Sequence, residues 1–313
     1  MASIKDFTWH KGITAKDLVG SFGNVGLQSS ELHKAAETII RMKKASAKIY
    51  LTFTSNLVTS GLRGFFAQLI RLGLVDAIVT TVGGLEEDVM KAKGEQFDLG
   101  TFESNDYALY EKGINRVGNI QIKNESYAKF EECIIPILEK SYIKKKRWAP
   151  CDLLASIGGM LTDKDSILYQ ASKHNIPVFC PAITDGAFGF HLFMLQQKYP
   201  DFVVDVVQDF KRLLLMSSQD ELKGLIALGG GVSKHFAILG CLLNGGLNYA
   251  VYMTTARHTS GSLSGATTNE AKSWGKIKDD ADAVTVIGDV SITFPLVMAH
   301  VLETLTEEGL LND

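Results

Sequence analysis

The chain has 313 residues, of which 46% are hydrophobic and 21% charged, and its formal net charge is -3. These values are ordinary for a globular protein with a sizeable core, and the charge excludes the strongly basic surface typical of nucleic-acid-binding proteins. No apolar stretch is long enough to span a membrane, and no apolar signal core follows the N-terminus. The four scattered cysteines form no CxxC pair and the histidines no HExxH spacing, so we expect a cytoplasmic protein with neither a metal site nor a membrane or nucleic-acid partner.

Short apolar runs rich in β-branched residues alternate along the chain with segments of helical spacing. In chain order, the predicted strands cover residues 48–53, 75–81, 117–122, 176–180, 224–228, 250–254 and 283–287. The predicted helices cover residues 62–72, 86–92, 128–143, 203–216, 233–243 and 295–305, and the glycines at 83–84 are predicted to form a turn. This alternation predicts an α/β fold, doubly wound, with a mainly parallel sheet and helices on both faces. We expect one domain, 1–313, in which residues 1–45 form a helical N-terminal extension.

Polar and glycine-rich residues cluster where the predicted strands end, which is the edge at which open parallel sheets bind ligands. Glycines 229–231 directly precede a predicted helix, so their backbone could approach a phosphate, although a tight turn explains them equally well. Acidic residues at strand ends can hold ribose hydroxyls, but a helix-cap or surface role is an equal alternative for each of them. These acidic residues are Glu86, Glu87, Asp185 and Asp289.

The segment 254–277 contains the least ordinary combination of residues. Glu270 and Trp274 lie four residues apart on one face of a predicted helix, and Lys276 follows just past it. A lysine beside an indole can lose part of its hydration, which favours the neutral amine that imine chemistry needs. The carboxylate and the indole face could both hold a substrate ammonium. Without further information, an exposed lysine at a helix C-terminus is the commoner interpretation.

His235 lies near the start of the helix that follows the three glycines. A histidine at this position could move protons near neutral pH. The alternative is a histidine that forms a hydrogen bond with the backbone at the helix start.

Six motifs in this order carry a resemblance to a known family: residues 54–57 (TSNL), 83–88 (GGLEED), 113–119 (GINRVGN), 181–186 (PAITDG), 229–235 (GGGVSKH) and 273–277 (SWGKI). The chain resembles the deoxyhypusine synthases from about Phe7 to its C-terminus. The loop 261–265 is closer to the archaeal members than to those of animals and fungi. The resemblance implies a Rossmann-like domain and a homotetramer with active sites between paired subunits.

The resemblance also implies an activity (EC 2.5.1.46). NAD takes a hydride from spermidine, 1,3-diaminopropane leaves, and the aminobutyl group forms an imine on an enzyme lysine. The group then passes to a lysine of the translation initiation factor 5A precursor and is reduced. On the family pattern, Lys276 forms the imine and His235 transfers the proton.

The family pattern assigns further positions to the two ligands. The positions that match nucleotide contacts are Ser55, Asn56, Thr59, Thr81, Glu87, Asp185, Gly230, Gly231, Thr255 and Asp289. The positions that match the polyamine channel are Glu270, Trp274, Leu242, Leu239, Phe190 and Leu263.

Three channel positions depart from the animal and fungal pattern. Phe190 and Leu263 replace aspartates and Leu239 replaces an asparagine, while His258 and Ser260 stand where acidic residues are usual. A buried ammonium needs polar partners, so we expect a more apolar channel and an altered or relaxed polyamine preference.

Two other functions share much of this pattern. A homospermidine synthase would pass the same aminobutyl group to putrescine, using the same lysine, histidine and NAD site. A regulatory paralogue would assemble with an active synthase, but such subunits typically lack the lysine that is present here as Lys276.

Overall fold

The structure is a computed structural model that describes residues 3–218 and 220–312. Its helices are α1 (Ala15–Ser21), α2 (Gln28–Lys44), α3 (Ser55–Leu57), α4 (Arg63–Arg71), α5 (Val82–Ala92), α6 (Asp106–Glu111), α7 (Asn124–Lys144), α8 (Pro150–Gly158), α9 (Ile167–His174), α10 (Ala187–Lys198), α11 (Val206–Met216), α12 (Gly231–Leu242), α13 (Thr268–Ser273) and α14 (Val290–Glu307). Short 3-10 turns lie at Phe22–Asn24 and His258–Ser260, and a π-helical turn lies at Val58–Leu62.

The strands of the described residues are β1 (Lys48–Thr52), β2 (Ala77–Val79), β3 (Asp98–Leu99), β4 (Ile114–Val117), β5 (Ile120–Lys123), β6 (Arg147–Trp148), β7 (Val178–Phe179), β8 (Val203–Val204), β9 (Lys223–Leu228), β10 (Leu247–Thr254) and β11 (Ile277–Ile287).

The chain divides into two compact units. The first comprises Met1–Phe53, Leu72–Val79 and Phe210–Asp313, and the second comprises Thr54–Arg71 and Thr80–Asp209. The single-domain organisation expected from the sequence stays a prediction.

The first unit is built on a parallel sheet in which five strands lie in the order β11, β10, β9, β1, β2. All six residues of β9 are buried, as expected for a strand covered on both faces. Helix α2 packs on β11 and β10, and α12 packs on β9 and β1. Met42 of α2 lies so close to Gly224 of β9 that a Cβ there would be 2.7 Å from its sulfur. The predicted α/β class, the parallel sheet and the helical N-terminal extension are confirmed.

The second unit contains α4, α5 and α9 around a buried ion pair. Arg63 Nε donates to Asp88 Oδ1 at 2.6 Å, and the same carboxylate accepts the backbone N–H groups of Ile167 and Leu168 and the hydroxyl of Ser166. Asp88 is completely buried, so this carboxylate joins three helices and neutralises the start of α9. In the same unit, the Thr80 N–H donates to the carbonyl of Phe179 in β7.

Two predicted elements were wrong in detail. The run 117–122 is not one strand, because it turns at Gly118 (φ 60°) between β4 and β5, which pair antiparallel. The glycines at 83 and 84 do not form a turn, because α5 begins before them at Val82. A Cβ on Gly83 would lie 3.2 Å from the Ser55 Cβ, so the absence of side chains lets α5 approach the chain after β1 closely.

Several other boundaries differ from the prediction by a few residues, and two of these differences are informative. Strand β11 begins at Ile277 rather than at 283, because the acidic run 279–282 hides its first half from a hydrophobicity pattern. The predicted helix 203–216 begins with the short strand β8, and α11 starts only at Val206. None of the described helices combines the length and the hydropathy needed to cross a bilayer.

Candidate active site

The glycines at 229–231 join strand β9 to helix α12 in the first unit. The Gly229 N–H donates to the carbonyl of Met253, which keeps the strand pairing to its last residue. Gly231 has φ 69°, a conformation that favours glycine, and no atom lies within 4 Å of where its Cβ would be. The first turn of this twelve-residue helix is therefore open on the side of Gly231, while the Gly231 N–H itself donates to the Ser264 hydroxyl at 3.1 Å.

Lys276 lies between α13 and β11 and is only 8% exposed. Its N–H donates to the carbonyl of Ala271, and its carbonyl accepts from the Leu247 N–H at the start of β10. Its ammonium nitrogen lies 4.8 Å from the centroid of the Trp274 ring, which is itself 66% exposed. The alternative of an exposed lysine at a helix end is therefore wrong for this residue.

His235 lies on the face of α12 that also carries Leu239 and Leu242, at four- and seven-residue spacing. His235 is an exposed residue, but the partial desolvation of its ring lowers its pKa from the ordinary value, and the positive charge of Lys276 lowers it further. A Cβ on Gly275 would lie 3.5 Å from the Leu242 Cδ1, so this face extends to the chain just before Lys276. The fold thus brings the two residues of the predicted catalytic pair within electrostatic reach.

Helix α13 carries the two other residues predicted to bind a cation. The hydroxyl of Thr267 accepts the Glu270 N–H and caps the helix. Trp274 is the C-cap of α13, so it lies just past the helix rather than within it as predicted. Its indole lies beside Lys276. Glu270 is exposed, and its charge acts on the buried ammonium of Lys234.

The carboxyl ends of β10 and β11 place Thr255 and Asp289 side by side in the fold. The Gly288 N–H donates to the carbonyl of Thr254, which links the residues that precede these two. Asp289 is also the N-cap of α14, since its Oδ1 accepts the Ser291 N–H at 2.8 Å. The helix-cap role left open for this aspartate is therefore real, and the Ser291 hydroxyl also donates to the same oxygen, Oδ1.

In the second unit, hydrogen bonds bring four predicted nucleotide contacts together. The Ser55 N–H donates to the Thr81 hydroxyl at 3.0 Å. The Thr59 hydroxyl lies 3.0 Å from the Ser55 carbonyl and 2.7 and 2.9 Å from the two oxygens of Glu87. Asn56, between the two, is exposed and accepts from the Thr54 hydroxyl.

Glu87 supplies the carboxyl of this group, and its pKa is strongly perturbed. Burial raises its pKa to about 7, although the Thr59 hydrogen bonds and the charge of Lys91 oppose the rise. Lys91 donates to the Val58 carbonyl at 2.9 Å, at the start of the π-helical turn. A cavity of about 470 Å³ opens beside Thr59 and Lys91.

Asp185 and Phe190 lie at the start of α10 in the second unit, and both are exposed. The buried Glu86 positions this helix, because its Oε1 accepts the Phe188 N–H at 2.8 Å. Glu86 shows the cap role that the sequence left open for it, and burial raises its pKa. Phe190 is 57% exposed, so its ring is available to a ligand.

The sequence assigned no role to Lys234, which is 1% exposed and precedes His235. Its ammonium donates to two loop carbonyls and lies 3.8 Å from the centroid of the Tyr252 ring. Its position inside the motif 229–235 was the available signal, but the sequence does not reveal which residues of the motif are buried.

A family model described as deoxyhypusine synthase matches residues 17–301. The chain is 36% identical to a deoxyhypusine synthase from Kluyveromyces lactis, covering 92% of this chain and 88% of the relative. It is 39% identical to a probable deoxyhypusine synthase from the archaeon Thermoplasma acidophilum, covering 91% of this chain and 93% of that one. A solved Entamoeba histolytica structure named for the same family has a TM-score of 0.68 and 30% identity, covering 96% of this chain and 97% of the other.

A second solved structure, a complex of AgrE with ornithine and NAD+, has a TM-score of 0.54 and 15% identity. It covers 88% of this chain but 34% of the other, and it supports the fold alone. The family model and the relatives match nearly the whole chain, including both units described above. The chain belongs to the deoxyhypusine synthase family and is a transferase of deoxyhypusine synthesis, EC 2.5.1.46.

Proposed function

We propose that the protein transfers the aminobutyl group of spermidine, through an imine on Lys276, to a lysine of the translation initiation factor 5A precursor, with NAD as cofactor. The observation that carries the proposal is the burial of Lys276, whose ammonium lies 4.8 Å from the centroid of the exposed Trp274 ring and within electrostatic reach of His235. A primary amine, a proton-transfer group and a cation-binding ring are the parts that this chemistry needs.

The chain offers groups suited to a dinucleotide in each unit. In the first unit, these are Gly231 on the open side of the first turn of α12, the buried Gly230 beside it, Thr255 and Asp289. In the second unit, hydroxyls, an amide and carboxylates are supplied by Ser55, Asn56, Thr59, Thr81, Glu87 and Asp185. In the same unit, the Thr80 hydroxyl is buried and has no hydrogen-bond partner among the described residues. Amides at a helix start suit a pyrophosphate, and carboxylates suit ribose hydroxyls. When bound, NAD would supply the hydride exchange that oxidises spermidine and later reduces the product.

Lys276 acts as the nucleophile in this proposal. Its amine adds to the oxidised carbon of the substrate, the bond to 1,3-diaminopropane breaks, and the four-carbon group remains as an imine on the Lys276 nitrogen. The acceptor lysine then adds to the same carbon and releases Lys276. The low exposure of Lys276 supports this role, because exclusion of water protects an imine from hydrolysis.

His235 accepts and returns the protons that these amine additions and departures require. Its lowered pKa keeps the imidazole neutral near pH 7, so that it can act as a base before it acts as an acid. Glu270 and the Trp274 ring bind the substrate ammonium, while Leu239, Leu242 and Leu263 of the first unit line the methylene part of the channel. Phe190 of the second unit is proposed as a further contact of the polyamine. We further propose a homotetramer acting in the cytoplasm, as the family pattern implies.

Label transfer from spermidine tests the proposal. The protein is incubated with NAD and spermidine labelled in the aminobutyl group, with the factor 5A precursor and putrescine as competing acceptors. Label on the precursor supports the proposal. Label on putrescine alone identifies a homospermidine synthase, and a lack of label on either acceptor identifies a regulatory paralogue.

A lysine variant tests the mechanism separately. Lys276→Ala should abolish borohydride-trapped label on the enzyme while NAD binding persists, and Lys278→Ala, two residues along, should behave as wild type. Full trapping of label on Lys276→Ala would overturn the assigned nucleophile.

A further inference from the structure

Lys234 forms a buried cation site inside the first unit. Its Nζ donates to the carbonyl of Ala266 at 2.9 Å and to that of Leu263 at 3.1 Å. The centroid of the Tyr252 ring lies 3.8 Å from the same nitrogen. Two carbonyls and an aromatic face therefore surround an ammonium that has almost no contact with solvent.

Burial of this charge is costly and is offset only in part. Desolvation lowers the pKa of Lys234 to about 8, the carboxylate of Glu270 opposes this effect, and the charge of Lys276 adds to it. A methionine of similar length would fill the same space without the desolvation cost. The ammonium is therefore best explained by what its hydrogen bonds hold in place.

Those hydrogen bonds hold the loop 257–266, which joins β10 to α13. Besides the two carbonyls bound to Lys234, the loop is tied down by Ser264. The Ser264 hydroxyl accepts the Gly231 N–H at 3.1 Å, and its carbonyl accepts from the Thr254 hydroxyl at 3.2 Å. The loop thus rests on the first turn of α12.

The loop leads directly to the groups proposed to bind the polyamine. Leu263 is one of them, and Ala266 immediately precedes Thr267, the N-cap of the helix that carries Glu270 and Trp274. Lys234 and His235 are consecutive residues of α12, and they point to different sides of the helix. One is buried under the loop, and the other is exposed toward the charge of Lys276.

We propose that Lys234 is a positioning residue that holds the loop 257–266 on α12 and thereby fixes the polyamine-binding groups relative to His235 and Lys276. This inference rests on the proposed function for its kinetic consequence. Its structural consequence, a tethered loop, is independent of any substrate.

The experiment compares Lys234→Met with Lys234→Arg, and uses Lys211→Met on the exposed face of α11 as the matched control. Two measurements are made on the full chain: the rate at which trypsin cleaves the native protein after the exposed Arg257, and the spermidine KM and kcat. The loss of two charge-assisted hydrogen bonds in Lys234→Met should accelerate cleavage and raise the spermidine KM about tenfold or more, with a smaller change in kcat. In Lys234→Arg, the guanidinium can still donate to two carbonyls, so the cleavage rate and the spermidine KM should both return close to their wild-type values.

The outcomes separate the two proposals. If wild type cleaves no spermidine, the proposed function fails, and the trypsin rate alone decides the role of Lys234. If Lys234→Met matches wild type in both the cleavage rate and the KM, the inference is overturned, even when its melting temperature falls. Should Lys234→Met not fold, Ser264→Ala removes a milder tether from the same loop and should shift both measurements in the same direction; no shift would overturn the inference.

Discussion

The ammonium of Lys276 lies 4.8 Å from the centroid of the Trp274 indole, and the two residues differ strongly in exposure, 8% against 66%. The lysine is thus covered on one side by a ring whose remaining surface is open to solvent. An incoming ammonium can meet the indole before it meets the nucleophile. In the proposed mechanism, the reactive amine and the first cation contact are therefore carried by residues only two positions apart.

Trp274→Leu should weaken polyamine binding more than Trp274→Phe does. A cation–π contact contributes roughly 0.5–2 kcal/mol, so the leucine variant should raise the spermidine KM by about 2- to 30-fold. Phenylalanine keeps an aromatic face and should recover part of the loss. Steady-state kinetics at saturating NAD measure both variants, and equal KM values for leucine and phenylalanine would refute a role for the aromatic face.

The pKa of His235 should respond to the charge on Lys276. Partial desolvation of the ring lowers this pKa most, and the lysine lowers it further, so Lys276→Met should raise it without restoring the ordinary value of 6.5. In wild type, the imidazole should be neutral above its lowered pKa, and the acid limb of kcat/KM should lie below pH 6.5. NMR titration of the imidazole, assigned with His235→Gln, measures the change; an identical pKa in Lys276→Met would show that the two charges do not interact.

Glu87 should make folding stability depend on pH. Its pKa rises on folding from 4.5 to about 7, so the folded state keeps a proton that the unfolded chain loses. Stability should therefore fall as pH rises from 4.5 to 7 and then stay level, with a total effect of roughly 3 kcal/mol at about 1.4 kcal/mol per pKa unit. Glu87→Gln should be more stable than wild type at pH 8 and nearly equal to it at pH 4.5, while losing affinity for NAD.

Urea unfolding at the two pH values measures this difference, with the exposed Glu111→Gln as the control. If the free energies of unfolding of Glu87→Gln and wild type differed by the same amount at both pH values, the pKa of Glu87 would not be raised by burial.

The buried Arg63–Asp88 pair should contribute far more to stability than a surface pair does. Asp88→Ala leaves the buried Arg63 guanidinium with Asp163 as its remaining carboxylate partner and removes the acceptor of two N–H groups at the start of α9, and should cost about 3–5 kcal/mol. Asp98→Ala removes an exposed carboxylate 3.8 Å from Lys123 and should cost at most about 1 kcal/mol. Chemical denaturation compares the two, and similar losses would mean that the buried network does not hold the helices together.

The apolar residues at Phe190, Leu239 and Leu263 should relax polyamine preference. Carboxylates fix the positions at which a polyamine can place its ammonium groups. A channel with fewer carboxylates should therefore discriminate less between polyamines that differ in the distance between their nitrogens. We expect measurable turnover of putrescine or homospermidine beside that of spermidine. Leu263→Asp should reduce the turnover of these two amines relative to that of spermidine. Competition assays with the three amines provide the measurement, and a strict preference for spermidine in wild type would contradict the expectation.

The alternation of strands and helices was readable in the sequence because parallel strands such as β9 are buried on both faces and appear as continuous apolar runs. Boundaries failed where tertiary contacts override local patterns. The acidic start of β11 resembles a loop, and the glycines of α5 resemble a turn. The pairing of β11 with β10 and the close approach of α5 to Ser55 join residues that are distant in sequence, so a short stretch of sequence reveals neither.

The candidate site was predictable by residue type and position but not by burial. Lys276 alone resembled an exposed helix-end lysine, and the ordered motifs rather than its neighbours singled it out. Lys234 was passed over because the periodicity of α12 does not reveal that a loop distant in sequence covers its ammonium. The double role of Asp289, as helix cap and proposed nucleotide contact, likewise needs three-dimensional coordinates.

The two glycines in the first turn of α5 limit how this enzyme can be made more heat-resistant. Replacing a helical glycine with alanine is a standard route to thermostability, worth up to about 1 kcal/mol per site. Here a new methyl group would lie 3.2 Å from the Ser55 Cβ at position 83, or 3.3 Å from the Val58 Cγ2 at position 84. Either methyl group would push against Ser55 or Val58, which precede the hydrogen-bonded Thr59. The gain in helix propensity would therefore be opposed by this crowding, and stability is better sought at other positions.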